Sequence, residues 1–221
     1  MYKGYTVNGI DFLKDLKENN NREWFHENKN IYRKYVEKPS KELFEEILFR
    51  LPEVTKKPVS GKIFRIYRDV RFSKDKTPYK TNVRMCFYCS GGDMSGCGSK
   101  PNFYFSLEPD NIIIGLGNHE FSKESLELYR HSIDDDKKGK QLKKISASFA
   151  SKDNYRINEP KLKRVPSGFD KDHPRSDLLR HKGFSVWYDK NNPDLTNPDL
   201  ADYILDKFKD MKPVYNWLIS M

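Results

Sequence analysis

The chain has 221 residues, with 41 Lys and Arg against 32 Asp and Glu, a formal net charge of +9. That length suits one large domain or two small ones and can bury a core without metal or disulfide staples. No apolar run of 18 residues occurs, which excludes a transmembrane helix. The 14 Phe, 13 Tyr and 3 Trp, spread among charges of both signs, exclude a disordered chain.

Residues 1–20 contain neither an apolar core segment nor a small-residue cleavage site, so no export signal is read. Cysteines stand at 86, 89 and 97. An odd number without an export signal argues for reduced thiols and predicts a cytoplasmic protein. No feature sets an oligomeric state.

In chain order, Asn8 is expected to cap a helix through Phe12, Leu13 and Leu16, broken at Asn19–Asn21. A second helix is expected over 22–38, where Trp24, Phe25, Ile31, Tyr32, Tyr35 and Val36 recur at spacings of three and four. Pro39 should stop it and open a third, which buries Leu43, Phe44, Ile47, Leu48 and Leu51. After a connector over 52–61 the period changes. Phe64, Ile66, Arg68, Val70 and Phe72 alternate with Ile63, Arg65, Tyr67, Asp69 and Arg71, which predicts a strand. Ile63, Ile66 and Val70 also keep helical spacing. A turn over 73–80, a strand over 83–89, a glycine-rich loop over 91–98 and a hairpin of 102–108 with 112–117 follow. Ser122 should cap a helix to Ile133, and another runs from about Gly139 to Ala150. Candidate strands cover 156–165 and 183–189, with a short helix at 174–181 between them. Asn197 should cap a last helix over 198–211. The expected architecture is one α+β domain over 1–221. N-terminal helices pack on a mainly antiparallel sheet drawn from 61–117 and 155–189, and further helices lie at the C-terminus.

The charge is unevenly placed. Residues 61–100 carry nine basic and three acidic side chains, two thirds of the net excess in under a fifth of the chain. A local excess attracts anions, whereas a scattered one mainly affects solubility. Arg65, Arg68, Arg71, Lys74, Lys76 and Lys80 are answered within the segment only by Asp69 and Asp75. Arginine's planar fork suits phosphate or carboxylate, and lysine adds a point charge. As a strand, the segment would place Arg68 on the apolar face, where a guanidinium needs a partner. A structural ion-pair network is the competing account of the same residues.

Other motifs are weaker. Cys86 and Cys89 form Cys-x-x-Cys, but in a strand they point to opposite faces. Zinc would need a turn and a fourth ligand such as His119, and a redox pair would need a helix N-terminus. No metal is therefore expected. Residues 91–100 fail the phosphate-loop pattern, and no nucleotide fingerprint or other cofactor signature is present. Asp170, Asp172 and His173 could act as acid, base or ligand, or could cap the helix opened by Pro174.

The run from Phe64 through Arg65-Ile66-Tyr67-Arg68-Asp69-Val70-Arg71-Phe72-Ser73-Lys74-Asp75-Lys76-Thr77-Pro78-Tyr79-Lys80 to Thr81 resembles the signature of a conserved hypothetical family, DUF2461. The segments Asn20-Asn21-Arg22-Glu23-Trp24-Phe25 and 162–174 agree with it, so the resemblance spans nearly the whole chain. Related chains commonly carry a tyrosine-rich strand ending in His-Leu, where this one has 103–107. They also often carry Gly-Leu-Tyr-x-Pro, where this one has 115–119. The resemblance implies a fold and a set of candidate residues, and no activity.

Three function classes follow. The first is binding of a small phosphate- or carboxylate-bearing ligand by Arg65, Arg68, Arg71, Lys76, Tyr79 and Lys80. The second is an enzyme acting on such a ligand, with Asp69 or His173 as base and Tyr79 as donor. The third is weak nucleic-acid binding, disfavoured by a short basic segment and the lack of a nucleic-acid module. A small anionic partner ranks first, and no membrane partner is expected.

Overall fold

The computed structural model describes residues 2–89 and 100–221. The glycine-rich loop 91–98 and Cys97 lie outside the described residues. The protein is α+β: N-terminal helices precede a six-stranded antiparallel sheet, and helices follow at the C-terminus. The strands are β1 (Val59–Ile63), β2 (Val83–Cys89), β3 (Asn102–Leu107), β4 (Asn111–Gly117), β5 (Tyr155–Ile157) and β6 (Ser185–Asn191). They lie in the order β1-β2-β3-β4-β6-β5. Contacts cluster into two compact units, one of residues 1–87, 104–113 and 190–206, the other of 88–103, 114–189 and 207–221.

In the first unit, α1 (Val7–Glu18) buries Gly9, Phe12, Leu13 and Leu16, one face at helical spacing. Its N-cap is Thr6, so Asn8 falls inside the helix. α2 (Arg22–Tyr32) is capped by Asn21, whose side chain accepts the Trp24 N–H at 2.9 Å. Pro39 does not end this helix. A π turn over Arg33–Glu37 runs straight into α3 (Lys38–Arg50). In a regular helix Pro39 would clash with the carbonyl four residues back and leave it unpaired. That carbonyl belongs to Tyr35 and instead faces Gly9, where a Cβ would lie 2.2 Å from its oxygen. The wider π turn and the missing Gly9 side chain thus accommodate the proline. α4 (Pro52–Thr55) ends at Lys56, in the left-handed conformation, and leads into β1. α3 packs on β1, and Phe44 stacks on Phe87 of β2 with ring centroids 5.0 Å apart.

Residues 64–72 are not the regular strand that their alternation predicts. Residues 64–82 form an irregular hairpin, tied by an isolated Tyr67–Tyr79 bridge. The Phe64 N–H donates to the Arg84 carbonyl at 2.9 Å, Arg68 to Pro78 at 2.9 Å and Lys80 to Ile66 at 2.7 Å. Pro78 has no N–H for a ladder, and the side chains of Asp69 and Asp75 bind backbone N–H groups two residues on. The apolar alternation is not buried: Ile66 is, but Phe72 is 94% exposed.

The turn joining β3 to β4 is tight, with the Glu108 N–H donating to the Asn111 carbonyl at 2.9 Å. In the second unit, Ser122 caps α5 (Lys123–Asp134) and Asp135 caps α6 (Asp136–Ala150). The strand expected over 156–165 is only β5, paired antiparallel to β6 with Tyr155 opposite Tyr188. Pro160 denies that segment a ladder donor, and Pro166 follows directly after it. The short helix expected at 174–181 is α7 (Ser176–Leu179). The last helices are α8 (Leu200–Asp210) and α9 (Lys212–Leu218). Asn197 accepts the Asp199 N–H at 2.8 Å just ahead of α8. The Trp217 indole donates to the Lys138 carbonyl at 2.9 Å, which docks α9 on α6.

Among the described residues no helix is long and apolar enough to cross a membrane.

Candidate functional site

The hairpin over 64–82 closes one side of an open cavity of about 510 Å³ in the first unit. Lys17, Arg68, Lys80 and Arg84 supply its cations, Asp69 and Asp75 its acids, and Asn20, Thr77, Tyr79, Thr81 and Asn82 its neutral polar wall. α1 brings Lys17 in its last turn, β2 brings Arg84, and the corner between α1 and α2 brings Asn20.

Asn20 fixes the hairpin to that corner. Its Nδ2 donates to the Tyr79 carbonyl at 3.0 Å, and its Oδ1 accepts the Tyr79 N–H at 3.1 Å. The Tyr79 ring is buried and stacks on Phe25 at 4.0 Å between centroids. Burial, with Tyr67 beside it, raises the Tyr79 phenol above its ordinary range, so it stays protonated and can donate.

Both acids are already engaged. Asp69 takes the Arg71 fork on its two oxygens, from Nε at 2.9 Å and a terminal nitrogen at 2.7 Å. Those bonds, with the Arg71 backbone N–H, hold Asp69 down at about 2. Asp75 accepts the Thr77 N–H at 2.9 Å and its hydroxyl at 2.8 Å, and also pairs with Arg68. These bonds lower it too. Arg68 donates besides to the Thr77 hydroxyl at 2.8 Å.

Among the described residues three cations of the cavity are left without a carboxylate. Lys80 Nζ donates to the Arg65 carbonyl at 2.8 Å. Its ammonium is pushed down, first by burial and then by Arg84, Arg65 and Arg68. Among the described residues Lys17 and Arg84 enter no ion pair. A site built this way holds surplus positive charge in a concave, partly desolvated place, the arrangement that favours an anion.

Of the residues expected from sequence, Arg68, Asp69, Tyr79 and Lys80 line this cavity. Arg65 lines a smaller neighbouring one. Arg71 is committed to Asp69, and Lys76 donates to the Val70 carbonyl at 2.9 Å, so both shape the loop. His173 belongs to the second unit. Its Nδ1 accepts the Arg175 N–H at 3.0 Å, and its Nε2 lies 3.4 Å from Asp134. The sequence by itself does not single out Lys17, Asn20, Asn82 and Arg84 as site residues. Asn20 opens one of the segments that carry the family resemblance, and Arg84 is a charge at an exposed position of an apolar strand. Those were the available signals.

Cys86 and Cys89 are both buried. The Cys89 sulfur sits 2.9 Å from the Tyr215 hydroxyl. Among the described residues no group of three His, Cys, Asp or Glu is placed to hold a metal ion.

Fold and cavity together define an α+β protein with a cationic polar cleft beside an irregular basic hairpin. The chain belongs to the DUF2461 family of conserved hypothetical proteins, whose family model matches residues 8–217. No curated protein matches it.

Proposed function

We propose that the protein binds a small phosphate- or carboxylate-bearing ligand in the cavity lined by Lys17, Arg68, Lys80 and Arg84. The observation that carries this reading is the mismatch of charge. Asp69 and Asp75 are spent on Arg71, Arg68 and Thr77, while Lys80 is crowded by three guanidinium groups and Lys17 and Arg84 have no acid among the described residues. An anion would relieve that repulsion. The ligand-binding set is accordingly Lys17, Arg68, Lys80 and Arg84, with Arg71 and Lys76 holding the loop in shape.

Catalysis by Asp69 is disfavoured. A general base works best with a pKa near the working pH, and the Arg71 fork holds Asp69 at about 2. One observation favours a second reading, weak nucleic-acid binding. Phe72 is 94% exposed at the tip of the basic loop, with the Arg71 guanidinium 5.7 Å from its ring centroid. An exposed ring beside cations can stack on an unpaired base. The deciding experiment is a thermal-shift titration with phosphate, pyrophosphate, citrate and a short single-stranded oligonucleotide. Stabilisation by the small anions that is lost in Arg84→Ala supports the first reading. Stabilisation by the oligonucleotide alone, lost in Phe72→Ala, replaces it with the second. No stabilisation by any of them removes both.

A further inference from the structure

Beside the cationic cavity lies a second one of about 160 Å³ with a different lining. Leu13, Val36, Ile63, Ile66 and Val83 make it mainly apolar. Asn82 lines both cavities. Between them Lys80, which lines the first, donates to the carbonyl of Arg65, which lines the second. The Lys80 ammonium also lies over the ring of Phe64 of the second, with Nζ 5.6 Å from the centroid. Lys80 and Asn82 thus stand where the two cavities meet, and Lys80 is a cation that an incoming anion would attract.

Resting on the anion-binding reading above, we infer that the ligand is an amphiphilic organic anion. Its phosphate or carboxylate head sits among Lys17, Arg68, Lys80 and Arg84, and a short apolar arm fills the cavity of Leu13, Val36, Ile63, Ile66 and Val83. Size sets the arm. An apolar cavity of roughly 150 Å³ admits benzene, so the arm is one aromatic ring or a short branched hydrocarbon, too small for a lipid chain. Asn82 adds a constraint at the junction. Its Nδ2 is held by Glu108 at 3.0 Å, and its Oδ1 is buried with no partner among the described residues. A hydroxyl or N–H on the ligand between head and arm would meet that acceptor, and a buried acceptor left unmet is costly.

The test is calorimetric binding of inorganic phosphate, methyl phosphate, glycerol phosphate and phenyl phosphate to the full chain. Phenyl phosphate should bind at least roughly tenfold more tightly than the other three, since its ring leaves water. Ile63→Phe, which fills the apolar cavity from its own wall, should abolish that advantage and leave inorganic phosphate unaffected. Arg84→Ala should weaken all four and preserve their ranking. Should Ile63→Phe fail to fold, a series of methyl, propyl and hexyl phosphates decides, affinity rising to propyl and falling at hexyl. Equal affinity for all the phosphates, or a phenyl advantage that survives Ile63→Phe, overturns the amphiphilic ligand and leaves the anion site standing. Binding of none of them overturns the anion site itself.

Discussion

The side-chain amide of Asn20 pairs with both backbone polar groups of Tyr79, 59 residues away, at 3.0 and 3.1 Å. It acts as a one-residue strand partner for a segment that has no regular strand beside it. Asn20→Ala leaves a partly buried N–H and C=O without partners, and the expected cost is about 2 kcal/mol, measured by urea denaturation. Asn20→Asp keeps the acceptor but loses the donor and should fall between alanine and wild type. A wild-type midpoint for Asn20→Ala would show that water serves Tyr79 equally well.

Arg68 behaves differently from what its position in the alternating run implies. A strand would bury it, and truncation would then strand a buried charge. In the irregular hairpin its side chain is 30% exposed and Asp75 is 52% exposed, so solvent screens the pair. Arg68→Ala should therefore fold, with a melting temperature within about 3 °C of wild type. Its loss should appear in anion binding instead, read from the phosphate titration. Failure of Arg68→Ala to fold would mean that the hairpin depends on this pair.

Much of the architecture was legible because burial and local chemistry agreed. The faces of α1 and α3 keep the helical period, and the Ser122 cap and the β3–β4 hairpin have the end residues that their elements need. Pro39 misled because its clash is relieved by Gly9, thirty residues earlier, which no local pattern reveals. The run 64–72 misled because alternation predicts a strand only if one face is covered, and here Phe64, Tyr67 and Phe72 remain partly or wholly exposed. The site was half legible. Charge density pointed to the hairpin, but a density of cations does not say which ones have acids. Arg71 and Arg68 proved to be the answered ones. Among the described residues Lys17 and Arg84 are unanswered by any acid, and they come from elements outside the motif.

Those unanswered cations give the next expectation. Arg84→Ala and Lys17→Ala should melt at or slightly above the wild-type temperature, because each removes like charge from the cluster. Arg84→Ala should also raise the Lys80 pKa toward that of a free lysine, since Arg84 is the first charge depressing it after burial. Nitrogen-detected NMR of the lysine ammonium groups reads this directly. A Lys80 titration unchanged in Arg84→Ala would dissociate the two side chains.

The segment containing His173 has a structural task in the second unit. Arg175 is buried at 3% exposure, and its Nε donates to the Ile133 carbonyl at 2.7 Å. A terminal nitrogen donates to the Asp134 carbonyl at 3.0 Å, and the fork also reaches Asp136. The guanidinium thus satisfies the open carbonyls where α5 turns into α6. Gly139 leaves it room, since a Cβ there would lie 2.5 Å from Nε. Arg175→Ala should cost about 3 kcal/mol through the two carbonyls alone. Arg175→Lys should recover little, because an ammonium cannot span the fork. His173→Ala should be much milder and leave anion binding untouched. A loss of phosphate stabilisation in His173→Ala would bring it back as a functional residue.

Stability should fall on mild acidification through His181. Its ring is 4% exposed. The Asn158 Nδ2 stands 3.2 Å from Nδ1 and also donates to the Gly183 carbonyl at 2.9 Å. A neutral ring with its proton on Nε2 lets Nδ1 accept from Asn158. Burial lowers its pKa, with Arg180 adding to the effect while Asp177, Glu159 and the Gly183 backbone oppose it. The folded pKa lies below the unfolded value of about 6.5, so the unfolded chain binds the proton first. Stability is then fully present above about pH 6.5 and declines as pH falls toward the folded pKa, by at most about 1.4 kcal/mol per pH unit. The lowered carboxylates add no slope in that range. Asp69 titrates at about 2, and Asp75, Asp136 and Asp194 are likewise held below their ordinary range. Urea unfolding at several pH values between about 5 and 7.5 should show this decline in the wild type. It should be flatter by one proton in His181→Gln, which keeps an amide acceptor near Asn158 and cannot titrate. The same slope in both proteins would assign the acid sensitivity to another group.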